Sequence, residues 1–443
     1  MSDATSMAED FAHGRSDPVQ ALEHSLEQAR RSSCVFISLT ADRARREAEA
    51  AAARWRADQP LSPFDGVPLA WKDLFDMAGS VTTAGAAYRR NAPAAALDAP
   101  VVGLLCRAGM VSVGKTNLSE LAYSGLGLNP HFGTPRNPHA SDQPRIPGGS
   151  SSGSAVAVAA GIVSIAMGTD TAGSIRIPSA FNGLVGYRSS SRRYNRDGVF
   201  PLARTLDSLG PLTRSVRDAL TLDDILHGRT HTHTARSLKG QRFVLEHSVL
   251  SHVEPAVGNN LLRAVEQLKA AGALVENRES PTFKGALELI HQHGWLGAFE
   301  AFALHQALLD SADAAQLDPR VRRRLETARG LPASQLIGLI EARQRLQLQL
   351  VDDLDGAILI TPTVAHVAPA LVPLEADDDL FATTNLATLR LTMPGSLLDM
   401  PGVTLPSGRD ALGLPTGVLL SAPMGEDARL LRAALSVESV LNV

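Results

Sequence analysis

The sequence predicts a layered α/β fold, and three observations carry that reading. A helical stretch over 98–108 runs into the short apolar strand Val111-Ser112-Val113-Gly114. A strand, an amphipathic helix and a second strand then follow one another over 242–247, 259–271 and 273–276. Hydrophobic residues make up 44% of the chain and charged residues 20%, the balance of a globular protein with a sizeable core. At 443 residues the chain could hold two or three small domains, yet α/β enzymes of this length also form one large unit.

The remaining elements follow from local signals. Residues 18–57 are rich in strong helix formers, most of all over 41–50, and read as a helical scaffold. Glycine, proline and asparagine dominate 124–149, which reads as an irregular loop ending in Pro147-Gly148-Gly149. Such loops commonly carry function. The small residues of 154–160 read as a buried helix that lets other backbone approach closely, with a run of serines at its front end. Long helices are expected over 283–309 and 332–353, a strand over 357–360 and a closing helix over 427–441. The chain shows no internal repeat or low-complexity tract.

Composition excludes several function classes. A net charge of −4 gives little electrostatic reason to expect a nucleic-acid partner. Two cysteines, Cys34 and Cys106, cannot build a disulfide framework or a four-thiolate zinc site. The acidic, polar start of the chain lacks the basic and apolar regions of a secretory signal. The longest apolar run, 155–167, is shorter than the ~20 residues a bilayer span needs. A cytoplasmic location without membrane association is therefore expected.

Three ordered segments carry the chemistry: Gly66-Val67-Pro68-Leu69-Ala70-Trp71-Lys72-Asp73, then Pro147-Gly148-Gly149-Ser150-Ser151-Ser152-Gly153-Ser154, then Gly168 to Pro178 with Thr171-Ala172-Gly173-Ser174 at its centre. Together they resemble the amidase signature family, and the likeness continues through 183–186 and 205–212 and weakly at 360–363. The string from Gly148 to Val158 with Thr171-Ala172-Gly173-Ser174 locally resembles the amidase module of allophanate hydrolases, although Ile175-Arg176 departs from it. The resemblance implies one domain over 1–443, with a central mixed, twisted sheet covered by helices on both faces. Within it, 1–60 would form a helical arm, 61–225 the signature core, 226–355 a variable region lining the substrate pocket, and 356–443 the completion of the core.

The resemblance also implies roles: Ser174 as nucleophile, Ser150 as bridging serine, and Lys72 as the base acting through it. Ser174 follows Ser150 by 24 residues, the separation the family keeps between these two serines. An amide is a poor electrophile with a poor leaving group, so its hydrolysis needs an activated nucleophile, a stabilised oxyanion and a proton for the departing nitrogen. A lysine serves as base only when desolvation makes its neutral form accessible, so Lys72 should be buried and Asp73 should point away from it. A serine hydroxyl can accept one proton while giving another, which suits Ser150 to a bridge.

For the oxyanion, the turn Thr171-Ala172-Gly173-Ser174 offers a row of backbone N–H groups. Position 172 usually holds glycine in the family, so Ala172 should occupy an allowed conformation. Substrate contacts are expected from Tyr123, Asn129, Gly149, Ser151, Asp170 and Arg176, the last two also being candidates for fixing the turn around Ser174.

Competing motifs weigh less. Gly149-Ser150-Ser151-Ser152-Gly153 matches the nucleophile elbow G-x-S-x-G, which would make Ser151 the nucleophile, but two prolines oppose the strand that motif requires before it. His227, His231 and His233 fall in a linker-like stretch, and His291 and His293 face different sides of a helix, so no metal site is expected. The glycines at 125 and 127 lack the third of a dinucleotide fingerprint. The expectation is an enzyme without metal or organic cofactor that cleaves a small linear amide, urea-derived or carboxylated ones included, with a homodimer as a possible assembly. The alternative is a glutaminase-type subunit of an amidotransferase.

Overall fold

The computed structural model describes residues 2–140 and 142–441, and its spine is one mixed sheet of eleven strands. In chain order these are β1 (Phe36–Leu39), β2 (Pro68–Lys72), β3 (Val111–Thr116), β4 (Ile165–Asp170), β5 (Val185–Arg188), β6 (Ser208–Thr213), β7 (Arg242–Glu246), β8 (Leu274–Arg278), β9 (Ile358–Pro362), β10 (Gly402–Arg409) and β11 (Pro415–Ser421). They lie side by side as β1-β3-β2-β4-β6-β5-β10-β11-β9-β7-β8. Parallel pairs gather towards the two ends (β3, β2 and β4; β9, β7 and β8), and antiparallel pairs join them through the middle.

Strand alternation divides the core between the two faces. Leu69 and Trp71 pack with helices Pro100–Arg107, Val216–Leu226 and Asp427–Glu438 on one face, while Ala70 packs with Pro18–Arg31, Ala41–Arg56 and Ser152–Ala159 on the other. Lys72 follows Trp71 and so leaves the strand on the Ala70 face, the side of the Ser152–Ala159 helix. The first helix of that face begins at Pro18, where the Asp17 carboxylate accepts from the N–H groups of Val19 and Gln20. Among the described residues no helix is long and apolar enough to cross a membrane.

Several expected elements differ in extent. The helix expected over 283–309 is two, Pro281–His293 and Leu296–Leu309, because Gly294 sits at φ 81° and ends the first. The 18–57 stretch contains β1 between its two helices, and β1 pairs antiparallel with β3. The expected strand at Val111 runs on to Thr116, placing Lys115 inside the sheet.

Candidate active site

Lys72 ends β2 with its side chain wholly buried, and burial brings its pKa down from 10.5 to about 7 against the opposing pull of Asp170 and Asp207. Its Nζ donates to Ser150 Oγ at 2.7 Å and to Thr169 Oγ1 at 2.8 Å, the latter from the neighbouring strand β4. Asp73, one residue on, points elsewhere. Its carboxylate meets Lys115 Nζ at 2.7 Å and accepts from the N–H and hydroxyl of Thr83.

Ser150 follows a cis peptide after Gly149, and its carbonyl accepts from Ser119 N at 3.1 Å while Gly149 N donates to Gly125 O at 2.8 Å. The helix that begins two residues later can sit against the sheet because Gly153 has no side chain. A Cβ there would be driven into the carbonyl oxygen of Val35 and the backbone of Asn117.

The third segment leaves β4 at Asp170, whose buried carboxylate organises the turn. It accepts from the N–H groups of Gly173 (2.8 Å), Ile175 (3.1 Å) and Arg176 (3.3 Å) and from Arg176 Nε (3.0 Å) and Nη2 (2.9 Å). Burial alone would raise the Asp170 pKa, but Arg176, Arg188 and these N–H donors hold it at about 2. Thr171 Oγ1 donates to Asp207 Oδ1 at 2.6 Å, which fixes the start of the turn. Gly173 takes φ 134°, while Ala172 stays in the negative-φ region that suits a residue with a Cβ. The turn delivers Ser174 to the wall of a cavity of about 280 Å³.

Ser150 and Ser174 are brought into adjacent segments, joined by Ser151 N donating to Ser174 O at 3.2 Å. Their hydroxyls do not hydrogen-bond to each other among the described residues. The Lys72 end of the arrangement is closed and the Ser174 end is open to the cavity.

The model of the Amidase family matches residues 17–431. The chain belongs to the amidase family. This amidase is 33% identical over 414 residues to 2-amino-5-chloromuconic acid deaminase of Comamonas testosteroni, covering 91% of this chain and 88% of that protein. It is 30% identical over 471 residues to one of the subunits of the glutamyl-tRNA(Gln) amidotransferase of Synechococcus sp. (strain RCC307), covering 97% of this chain and 96% of that protein. A crystal structure described as that of an amidase superposes with a TM-score of 0.88 at 33% identity, over 100% of both chains. Family membership makes this protein an amide hydrolase acting on small amides.

Of the residues expected to touch substrate, Tyr123 lines the amidase cavity, beside Ser124, Thr171, Ala172 and Ser174. The other five do not reach it, because each is spent on structure. Asn129 Nδ2 donates to the carbonyls of Gly85 and Leu118, and its Oδ1 accepts from His131 and Phe132 N. Ser151 Oγ donates to Thr169 O at 3.3 Å, Gly149 is tied to Gly125, and Asp170 and Arg176 are buried against each other. Among the expected anion donors, Gly173 N is committed to Asp170. The amides of Thr171, Ala172 and Ser174 have no protein partner among the described residues.

The far wall comes from residues that sequence reasoning missed. Trp295, Leu202, Leu389 and Met393 make it largely apolar, with Arg324, Thr327 and Asn385 as its polar points. The Arg324 guanidinium stacks 4.4 Å from the Tyr123 ring centroid and donates to the Tyr123 carbonyl, and it has no carboxylate partner among the described residues. Arg324 lies in Pro319-Arg320-Val321-Arg322-Arg323-Arg324, a basic run whose other members read as surface charge. Only its spacing from Val321 and Leu325, both buried, marks a residue near the inward face.

Proposed function

We propose that this amidase hydrolyses a small linear amide carrying a carboxylate, releasing ammonia or an amine through an acyl-enzyme on Ser174. The observation that carries the reading is the buried Lys72 amine bonded to Ser150 beside a Ser174 that faces the cavity. At neutral pH an amine with a pKa near 7 is substantially uncharged. It takes the Ser150 proton as the Ser150 hydroxyl takes that of Ser174, leaving Ser174 Oγ to attack the substrate carbonyl. The free amides of Ala172 and Ser174 are placed to receive the oxyanion. Collapse of the tetrahedral adduct returns the proton along the same route to the departing nitrogen, and water then repeats the cycle on the ester.

The carboxylate follows from Arg324. A guanidinium partly enclosed by a cavity wall, without an acidic neighbour among the described residues, leaves its charge to be met by the ligand. The deaminase named above also carries an acid in the name of its substrate. A panel of aliphatic, aromatic and urea-derived amides, each with and without a carboxylate, tests this by ammonia release from the purified chain. Preference for carboxylated members, lowered about tenfold or more by Arg324→Gln, supports the assignment. Equal turnover of charged and neutral amides defeats it.

Likeness to the amidotransferase component over 97% of the chain favours one second reading, a glutaminase that passes ammonia to partner subunits. Hydrolysis only in the presence of added subunits would favour it, and hydrolysis by the single chain favours the free enzyme.

A further inference from the structure

The helix Asp378–Leu389 turns Ala382, Asn385, Leu386 and Leu389 towards the cavity, a spacing of three and four residues that makes one helical face. Asn385 is the polar member of that face and is only 1% exposed. Its Oδ1 accepts from Gly125 N at 2.8 Å and from Ser124 Oγ at 3.1 Å. A backbone N–H can only donate, so the side-chain oxygen is fixed on that side and the NH2 end is turned away from it. That Nδ2 has no hydrogen-bond partner among the described residues, although the residue adjoins the cavity.

An amide donor that opens on the cavity without a protein partner is free to meet an acceptor on a ligand. We infer that Asn385 is a specificity-determining residue whose NH2 group donates to an acceptor oxygen in the acyl part of the substrate, so that the site selects amides bearing a second carbonyl or carboxylate oxygen. The inference rests on the proposed function and deepens it. Arg324 supplies charge, whereas Asn385 supplies direction, because its orientation is set by two protein donors. The same two donors tie it to the reacting segment, since Gly125 accepts from Gly149 N, the residue before Ser150. A ligand seated on Asn385 therefore bears on a side chain whose other end holds Gly125, the residue that in turn holds Gly149.

The replacement Asn385→Asp separates reading from scaffolding. Aspartate keeps an oxygen for Gly125 and Ser124 but presents a second oxygen to the ligand in place of the NH2. The measurement is the ratio of kcat/KM for a carboxylated amide to that for the neutral amide of equal length, in wild type and variant. The expected result is a fall in this ratio of about tenfold or more, mostly through KM, with Asn385→Ser lowering it less because it removes the donor without adding charge. An unchanged ratio in both variants overturns the inference. Should the aspartate variant fail to fold, the serine variant alone decides, its ratio either falling or staying at the wild-type value. Labelling of Ser174 by a fluorophosphonate reports separately on the proposed function. A protein that labels but keeps its ratio on substitution loses only the role of Asn385, whereas one that does not label loses the acyl-enzyme reading itself.

Discussion

Lys72 Nζ lies 2.7 Å from Ser150 Oγ, with no solvent reaching either side chain. The two residues are 78 positions apart, and three constraints bring them together. Strand alternation sends Lys72 to the face that carries the serine helix, Gly153 lets that helix approach, and Ser119 and Gly125 fix the backbone on either side of the Gly149–Ser150 peptide. Burial of the amine lowers its pKa to about 7, the direction in which a neighbouring cation also moves a lysine.

Replacing Ser174 by alanine is expected to abolish turnover, by about 10⁴-fold or more, with a melting temperature close to wild type, since its hydroxyl makes no protein hydrogen bond among the described residues. Ser150→Ala is expected to slow acylation by about 10²–10⁴-fold. Steady-state assays and thermal melts check both, and a Ser150→Ala enzyme of near-normal rate would remove the bridge.

Lys72 is expected to cost the fold stability while it serves the reaction. Its folded pKa, about 7, lies below the unfolded value near 10.5, so between these the unfolded chain holds a proton that the folded chain lacks. The cost is absent above the unfolded value and is fully present once the pH falls below about 7. Lys72→Met should therefore melt several degrees above wild type at pH 7, with the gap closing as the pH approaches 10.5. A calorimetric series across that range checks the sign.

Gly153→Ala adds one methyl group where the Val35 carbonyl and the Asn117 backbone leave no space. A loss of about 3 kcal/mol is expected, because backbone on both sides must move. Denaturant titration of the variant measures it.

A pH response unrelated to catalysis is expected at the start of the helix Val216–Leu226. Burial raises the Glu438 carboxyl to about 7 and the Asp218 carboxyl to about 6, while Val216 N donates to the former and Ala4 and Thr5 N to the latter. Both folded values exceed the unfolded ones, so their contribution is complete below about pH 4 and is lost as the pH rises to about 7. Glu438→Gln should flatten the fall in melting temperature between pH 5 and 7.

What the sequence made legible was the arrangement held in contiguous segments. Lys72, Ser150 and Ser174 each sit inside a run whose glycines and small residues serve the same local geometry, so the residue and its reason appear together. The pocket was less legible, because Arg324 and Asn385 come from helices whose local pattern encodes only burial, and their meaning arises when distant elements meet. Asn129 misled for the complementary reason, whereas Arg176 takes the second role expected of it, fixing the turn around Ser174. Polar residues beside a site are often consumed by turns, and here Arg176 neutralises the carboxylate that shapes the turn of Ser174. Among the strands, β10 and β11 gave no clear signal since Gly402, Pro406, Pro415 and Gly417 interrupt their apolar residues, and the start of β4 merges with the apolar run 155–167 that also holds the expected helix.

The pH dependence of the pre-steady-state acylation rate tests the relay most directly. With Lys72 as the base, the rate should rise about tenfold per pH unit up to a break near 7 and then level off. The break should be absent from the residual rate of Lys72→Met. A wild-type rate that is flat across pH 5–9, or a break that survives in Lys72→Met, would contradict the account.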